Sequence, residues 1–133
     1  MADIIVTTAY NTSGSPDDRT GIIWTTKLTG YVIYWTTATA DDLVYIKTTD
    51  GGLTWGAEVR ISTNHAPTNG RAGPVAAWAE WWTPGDNGSK ILIAWCDPID
   101  WGATLGEFCF RSLDTIADTL GTISQNSQQI DSD

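Results

Sequence analysis

Two kinds of apolar pattern run along the chain. Val44, Ile46 and Phe108, Phe110 alternate with Tyr45, Lys47 and Cys109, Arg111, which is the period of a strand with two unlike faces. In 21–25 (GIIWT) and 74–80 (PVAAWAE) small or apolar residues run almost unbroken, as in an inner strand touched on both faces. With Gly, Pro, Asn and Asp between the runs, the pattern predicts strands at 21–25, 30–37, 43–52 and 57–62, then at 74–80, 90–97, 107–114 and 121–124. Leu113, Ile116 and Leu120 also fall at helical spacing, so a helix over 112–120 is the alternative there. The segment 4–7 (IIVT) resembles 59–62 (VRIS) and is predicted as an outer strand that pairs with another sheet.

The predicted strands form two sets of four with the same landmarks in the same order. Trp24 matches Trp78, Trp35 matches Trp95, Lys47 to Asp50 match Arg111 to Asp114, and Ile61-Ser62 match Ile123-Ser124. A unit of about 54 to 64 residues built of four short strands suits a blade of a β-propeller. The in-register Trp24, Trp35, Trp78 and Trp95 are then expected in the core between blades. The chain divides into an N-terminal outer strand and loop (1–20), blade 1 (21–62), an inter-blade loop (63–73), blade 2 (74–124) and a polar tail (125–133).

Composition sharpens this picture. Eight Trp stand against two Phe in 133 residues, and Thr, Ile, Val and Gly outweigh the strong helix formers, so the fold class is all-β. A net charge of −9 with only 7 basic residues leaves no electrostatic footprint for nucleic acid. No basic leader and no membrane-length apolar run is present, so no membrane insertion is expected, while an extracellular or virion-associated location stays open. If Cys96 starts the turn before Gly106, Cys109 lies opposite Ile93. The two thiols are then expected as small, unbridged side chains. His65 has no ligand partners in the sequence, and neither metal nor cofactor is expected.

Thr48-x-Asp50-x-Gly52-x-Thr54-Trp55 matches the pattern Ser/Thr-x-Asp-x-Gly-x-Thr-Trp at every defined position, and here the chain resembles the Asp-box propellers of the sialidase-like family. Physically, Asp and Thr oxygens accept turn amides, Gly supplies a positive φ, and Trp folds back over the hairpin. Ser112 and Asp114 keep the start of a second, degenerate box, with Ile116 in place of Gly and no Trp. The resemblance implies two four-stranded antiparallel blades, completed to about six either by three copies of the chain or by further sequence. It further implies that the box faces away from the ligand side. That side would carry Arg19, Asp41, Asp42, His65, Arg71, Asp97, Asp100 and Trp101 on one rim.

A sialidase needs three arginines on the substrate carboxylate, an acid/base, and a Tyr and Glu pair. Arg19 and Arg71 precede first strands, but neither sits in the family's Arg-Ile-Pro setting, and Arg60 and Arg111 on later strands do not complete the cluster. The acidic loop residues suit turn capping, and Trp101 suits either stacking on a sugar or shielding a neighbouring blade. The sequence therefore points to a non-catalytic module that binds a glycan or another surface ligand. A partial glycoside hydrolase and a structural virion or surface-assembly protein remain as alternatives.

Overall fold

The computed structural model describes residues 21–36, 42–62, 75–79, 88–98 and 105–129. They form antiparallel sheets with no helix among the described residues. The first sheet joins β1 (Ile23–Trp24), β2 (Gly30–Trp35), β3 (Leu43–Thr48) and β4 (Val59–Arg60) in sequence order. The second joins β5 (Val75–Ala79), β6 (Lys90–Pro98), β7 (Leu105–Asp114) and β8 (Thr119–Leu120), and β9 (Ser124–Gln129) also pairs with β7. Because β8 pairs with 113–114 and β9 with 105–110, the two together make an interrupted fourth strand. That strand runs past residue 124 into the stretch assigned to the polar tail. Residues 112–120 are strand, turn and strand, so the period-2 pattern prevails over the helical spacing. The predicted strand at 4–7 lies outside the described residues.

The β6–β7 register differs from the expected one. Cys109 lies opposite Trp95 and Ile93 opposite Arg111, because β6 continues to Pro98 and β7 begins at Leu105. Cys96, paired with Phe108, therefore takes the face opposite to that of Cys109, and neither thiol forms a disulfide.

One core joins the two sheets. Tyr31, Ile33, Trp35, Leu43, Tyr45 and Ile61 of the first sheet pack with Val75, Ile91, Ile93, Trp95, Cys109 and Leu113 of the second. Burying each such large side chain contributes about 1.5 to 3 kcal/mol. Trp35 and Trp95 meet the expectation of burial, whereas Trp24 and Trp78 are 42% and 41% exposed. The correction follows from pairing. Trp24 lies opposite Gly30 and Trp78 opposite Leu92, which puts both on the faces turned away from the shared core.

The hydrogen-bond phase fixes how the sheets are stacked. The Thr36 amide donates to the Asp42 carbonyl, so even-numbered residues of β2 direct their backbone groups to β3. The Thr115 amide donates to the Ser89 carbonyl, two positions along the register from Ile91 and Leu113, so in β6 the odd-numbered residues face β7. The bonds from the Ile61 amide to Leu43 and from the Gly121 amide to Ser112 agree with these phases. In an L-residue strand, the side to which the backbone groups point decides the face the side chain takes. Both sheets are meanders of the same order, so odd positions of β2 and odd positions of β6 lie on faces of opposite hand. Those are the faces that meet. The back of the first sheet thus packs on the front of the second, and Trp35 and Trp95 enter one core from faces of opposite hand.

Arg111 ties the seam: its Nε donates to the Gly121 carbonyl and its Nη1 to the Ile61 carbonyl of the other sheet. Lys47 Nζ reaches Asp118 Oδ2 at 3.0 Å across the same seam. Arg111→Ala strands two partly buried carbonyls, and we expect it to lower unfolding free energy by about 2 to 4 kcal/mol in urea titrations. A change within experimental error would show that the apolar core alone holds the sheets together.

Candidate functional site

The intact box forms the β3–β4 connection. Thr48 Oγ1 donates to Asp50 Oδ1 at 2.8 Å and accepts the Gly52 amide at 2.9 Å. Asp50 takes the Thr54 amide at 3.0 Å and the Thr54 hydroxyl at 2.6 Å on its two oxygens. Gly51 and Gly52 have φ of 77° and 90°, so the turn needs glycine at both positions. Trp55 folds back against the cluster of Val32, Tyr34, Val44 and Ile46, and Trp24 lies over Gly30 and near Gly52. The hydroxyl and amide donors of Thr54, then the Thr48 hydroxyl, hold the Asp50 carboxyl down at about 2. Every oxygen of the Asp50 side chain is thus committed to the turn.

The second turn is built otherwise. β7 and β8 are joined by residues 115–118, with the positive φ at Asp118 and Ile116 almost fully exposed. Asp114 ends β7 as Thr48 ends β3, and its Oδ1 accepts the Ile116 and Ala117 amides, each at 2.9 Å. Those two amides lower its pKa. Ser112 sits within β7 opposite Leu92, where its carbonyl takes the Gly121 amide. Of the Ser112 and Asp114 pair, Asp114 serves the turn.

Of the rim candidates, Arg19, Asp41, His65, Arg71, Asp100 and Trp101 lie outside the described residues, and Asp97 is placed in β6. Asp42 is at the end of β3 remote from the box, and its Oδ1 holds Arg60 Nη2 at 2.6 Å while its side chain is only 8% exposed. Sequence reasoning missed its neighbours. Tyr34 and Thr36 both donate to Glu58 Oε1, at 2.7 and 2.9 Å. Tyr34 and Thr36 share a face by period 2, but the placement of Glu58 depends on the length of the box turn, which has no period to read. A phenol on a carboxylate beside a second acid and an arginine is a chemically capable set. Tyr34 is 2% exposed, however, and its phenol and the Thr36 hydroxyl are committed to Glu58, so these groups are satisfied within the chain.

Comparison with protein-family models, curated proteins and solved structures gives no match for this chain.

The depressed Asp50 carboxyl has a defined pH signature. Its folded value lies below its ordinary one, so its contribution is complete above about 3.8 and is lost as pH falls toward 2. We expect Asp50→Asn to melt at a lower temperature than the wild type at neutral pH, with the gap closing between pH 4 and 2. Melting curves of the two proteins that stay parallel across that range would remove Asp50 from the turn's energetics.

Proposed function

We propose that the chain is a non-catalytic pair of blades of Asp-box β-propeller type, acting as a binding module for carbohydrate or another surface ligand. The observation that carries the architecture is the front-to-back stacking of two meanders, one of which bears a complete box with all its turn bonds made. Stacked blades of this kind close into a ring of about six, supplied by other copies or by further sequence. For function, support comes from the acidic, Trp-bearing loops assigned to the rim opposite the box. The carboxylates described at that end favour binding over chemistry, since Asp42 is held by Arg60 and Glu58 by two hydroxyls.

A second reading is a partial glycoside hydrolase, favoured by the Tyr34 and Glu58 bond. It requires a rearrangement that opens Tyr34 to substrate.

A glycan array probed with the full chain separates these. We expect binding that is retained in Asp50→Ala and reduced in Trp101→Ala, with no turnover of a fluorogenic sialoside. Hydrolysis that disappears in Tyr34→Phe would instead establish the hydrolase, and an array without any signal would leave the assembly alternative in possession.

A further inference from the structure

The Asp50–Gly51 bond joins two groups that can react with each other. Of the aspartates in the sequence, Asp50 alone is followed by glycine. With no Cβ on residue 51, nothing crowds the approach of the Gly51 nitrogen to the side-chain carbon of Asp50. In an open chain that approach closes a five-membered imide. The Gly51 nitrogen gives its proton to solvent and bonds to Cγ, and a carboxyl oxygen leaves as water. Water then opens the imide at Cγ, which restores aspartate, or at the main-chain carbonyl, which leaves Gly51 attached through Cγ. The second product is isoaspartate, with one more methylene in the backbone and the carboxylate directly on Cα. Water is released and then taken up, so neither an oxidant nor a cofactor enters.

The folded box opposes each step. Asp50 Oδ1 accepts the Thr48 hydroxyl at 2.8 Å and the Thr54 amide at 3.0 Å, and Oδ2 accepts the Thr54 hydroxyl at 2.6 Å. These bonds fasten the carboxylate across the turn and keep it from swinging onto Gly51. The Thr54 hydroxyl first, then the Thr54 amide and Thr48, also hold it ionised down to about 2, and an ionised carboxylate takes a nucleophile far less readily than the acid does. The nucleophile is occupied as well, since the Gly51 amide donates to the Leu28 carbonyl of the β1–β2 turn at 2.8 Å. Burial adds no protection, because Gly51, Leu53 and Thr54 are all exposed. What restrains the reaction is therefore the set of hydrogen bonds, and those are lost when the turn opens. The second turn provides the contrast. Asp114 is followed by Thr115, whose branched side chain obstructs the same attack, and both of its turn bonds fall on Oδ1.

We propose that Asp50–Gly51 is an isomerisation site that the closed box keeps silent, so that opening of the β3–β4 turn exposes it to a lasting covalent change. Once formed, isoaspartate cannot restore the box. Its carboxylate sits on Cα, away from the Thr54 donors, and the added methylene shifts the Gly52 amide from Thr48 Oγ1. The reaction concerns the backbone of the turn and no ligand, so it stands or falls separately from the binding reading.

Incubation of the full chain at neutral pH, folded and in guanidinium chloride, followed by cleavage after Lys47 and Arg60, tests the proposal. The fragment 48–60 holds Asp50 as its one aspartate and has no asparagine. A second chromatographic peak of unchanged mass, labelled by isoaspartyl methyltransferase, then reports this site alone. We expect conversion in the unfolded chain to exceed that in the folded chain by about tenfold or more, the suppression that a seldom-opening turn imposes. Thr54→Val removes the hydroxyl donor to Oδ2 and keeps the amide, so it should convert faster than the wild type while its melting curve shows it folded. A measurement on the wild type alone serves should that variant fold poorly: hydrogen exchange at the Gly51 amide and isomerisation at Asp50 should rise together as denaturant is added below the unfolding midpoint. Equal rates in the folded and unfolded chain, or no isoaspartate in either, would overturn the proposal. So would a folded Thr54→Val no faster than the wild type, or conversion without exchange at Gly51.

Discussion

The phase of the hydrogen bonds between β2 and β3 relative to that between β6 and β7 is the constraint on which the structure turns. A shift of one residue in either hairpin would move the side chains of that strand to the other face. Ile33 and Trp35 would then leave the shared core, or Ile93 and Trp95 would, and one sheet would face the other with Tyr34 and Thr36 or with Ala94 and Cys96. The observed phases put branched and aromatic side chains on both sides of one seam. Since the two phases are opposite, the seam joins a back to a front, an arrangement that leaves a face of each kind at the two ends of the stack.

The β3–β4 and β7–β8 turns bring a further strand onto each of these hairpins. The β3–β4 box locks seven turn residues by bonds that begin and end on Thr48, Asp50 and Thr54, so the fourth strand enters with Glu58 and Arg60 on the face that carries Tyr34 and Asp42. The β7–β8 turn is shorter and capped by Asp114, and it delivers Asp118 to Lys47 of the other sheet. One turn thus organises a polar network within its own sheet, and the other fastens two sheets together. Arg111 adds to the second task from the middle of a strand, where a solvated charge would be expected on an isolated sheet.

How much of this was legible in the sequence depends on whether a feature is local. The all-β class, the complete box and the strands predicted within the described residues follow from period and turn chemistry, and each appears within a few residues of its predicted place. The face taken by each tryptophan is not local. Matching Trp24 to Trp78 and Trp35 to Trp95 aligned residues by type, but burial is set by the phase of each pairing, and the sequence carries no mark of that phase. The same gap explains the β6–β7 register, where the hairpin's extension to Pro98 moved Cys109 from Ile93 to Trp95. It also explains why Glu58 escaped notice, since it meets Tyr34 across 24 residues of chain. The rim assigned from blade topology rests largely on loops outside the described residues, with Asp42 the member whose bonds are seen.

Polarity and accessibility are separated in this molecule in a way that bears on what it can do. The groups with chemical capacity bond in pairs, buried Tyr34 to half-buried Glu58 and buried Asp42 to exposed Arg60, so these bonds lower the free energy of the fold and leave little for a ligand. The apolar face around Trp78 and Phe108 offers a small polar molecule few directed contacts beyond the Trp78 indole N–H and the Cys96 thiol. A sugar binds through both apolar stacking and directed polar contacts, so it would find only half of what it needs there. Another sheet face needs only shape and apolar area, because its backbone is already satisfied within its own ladders. The open face is therefore suited to protein, and any recognition of a polar ligand falls to the loops.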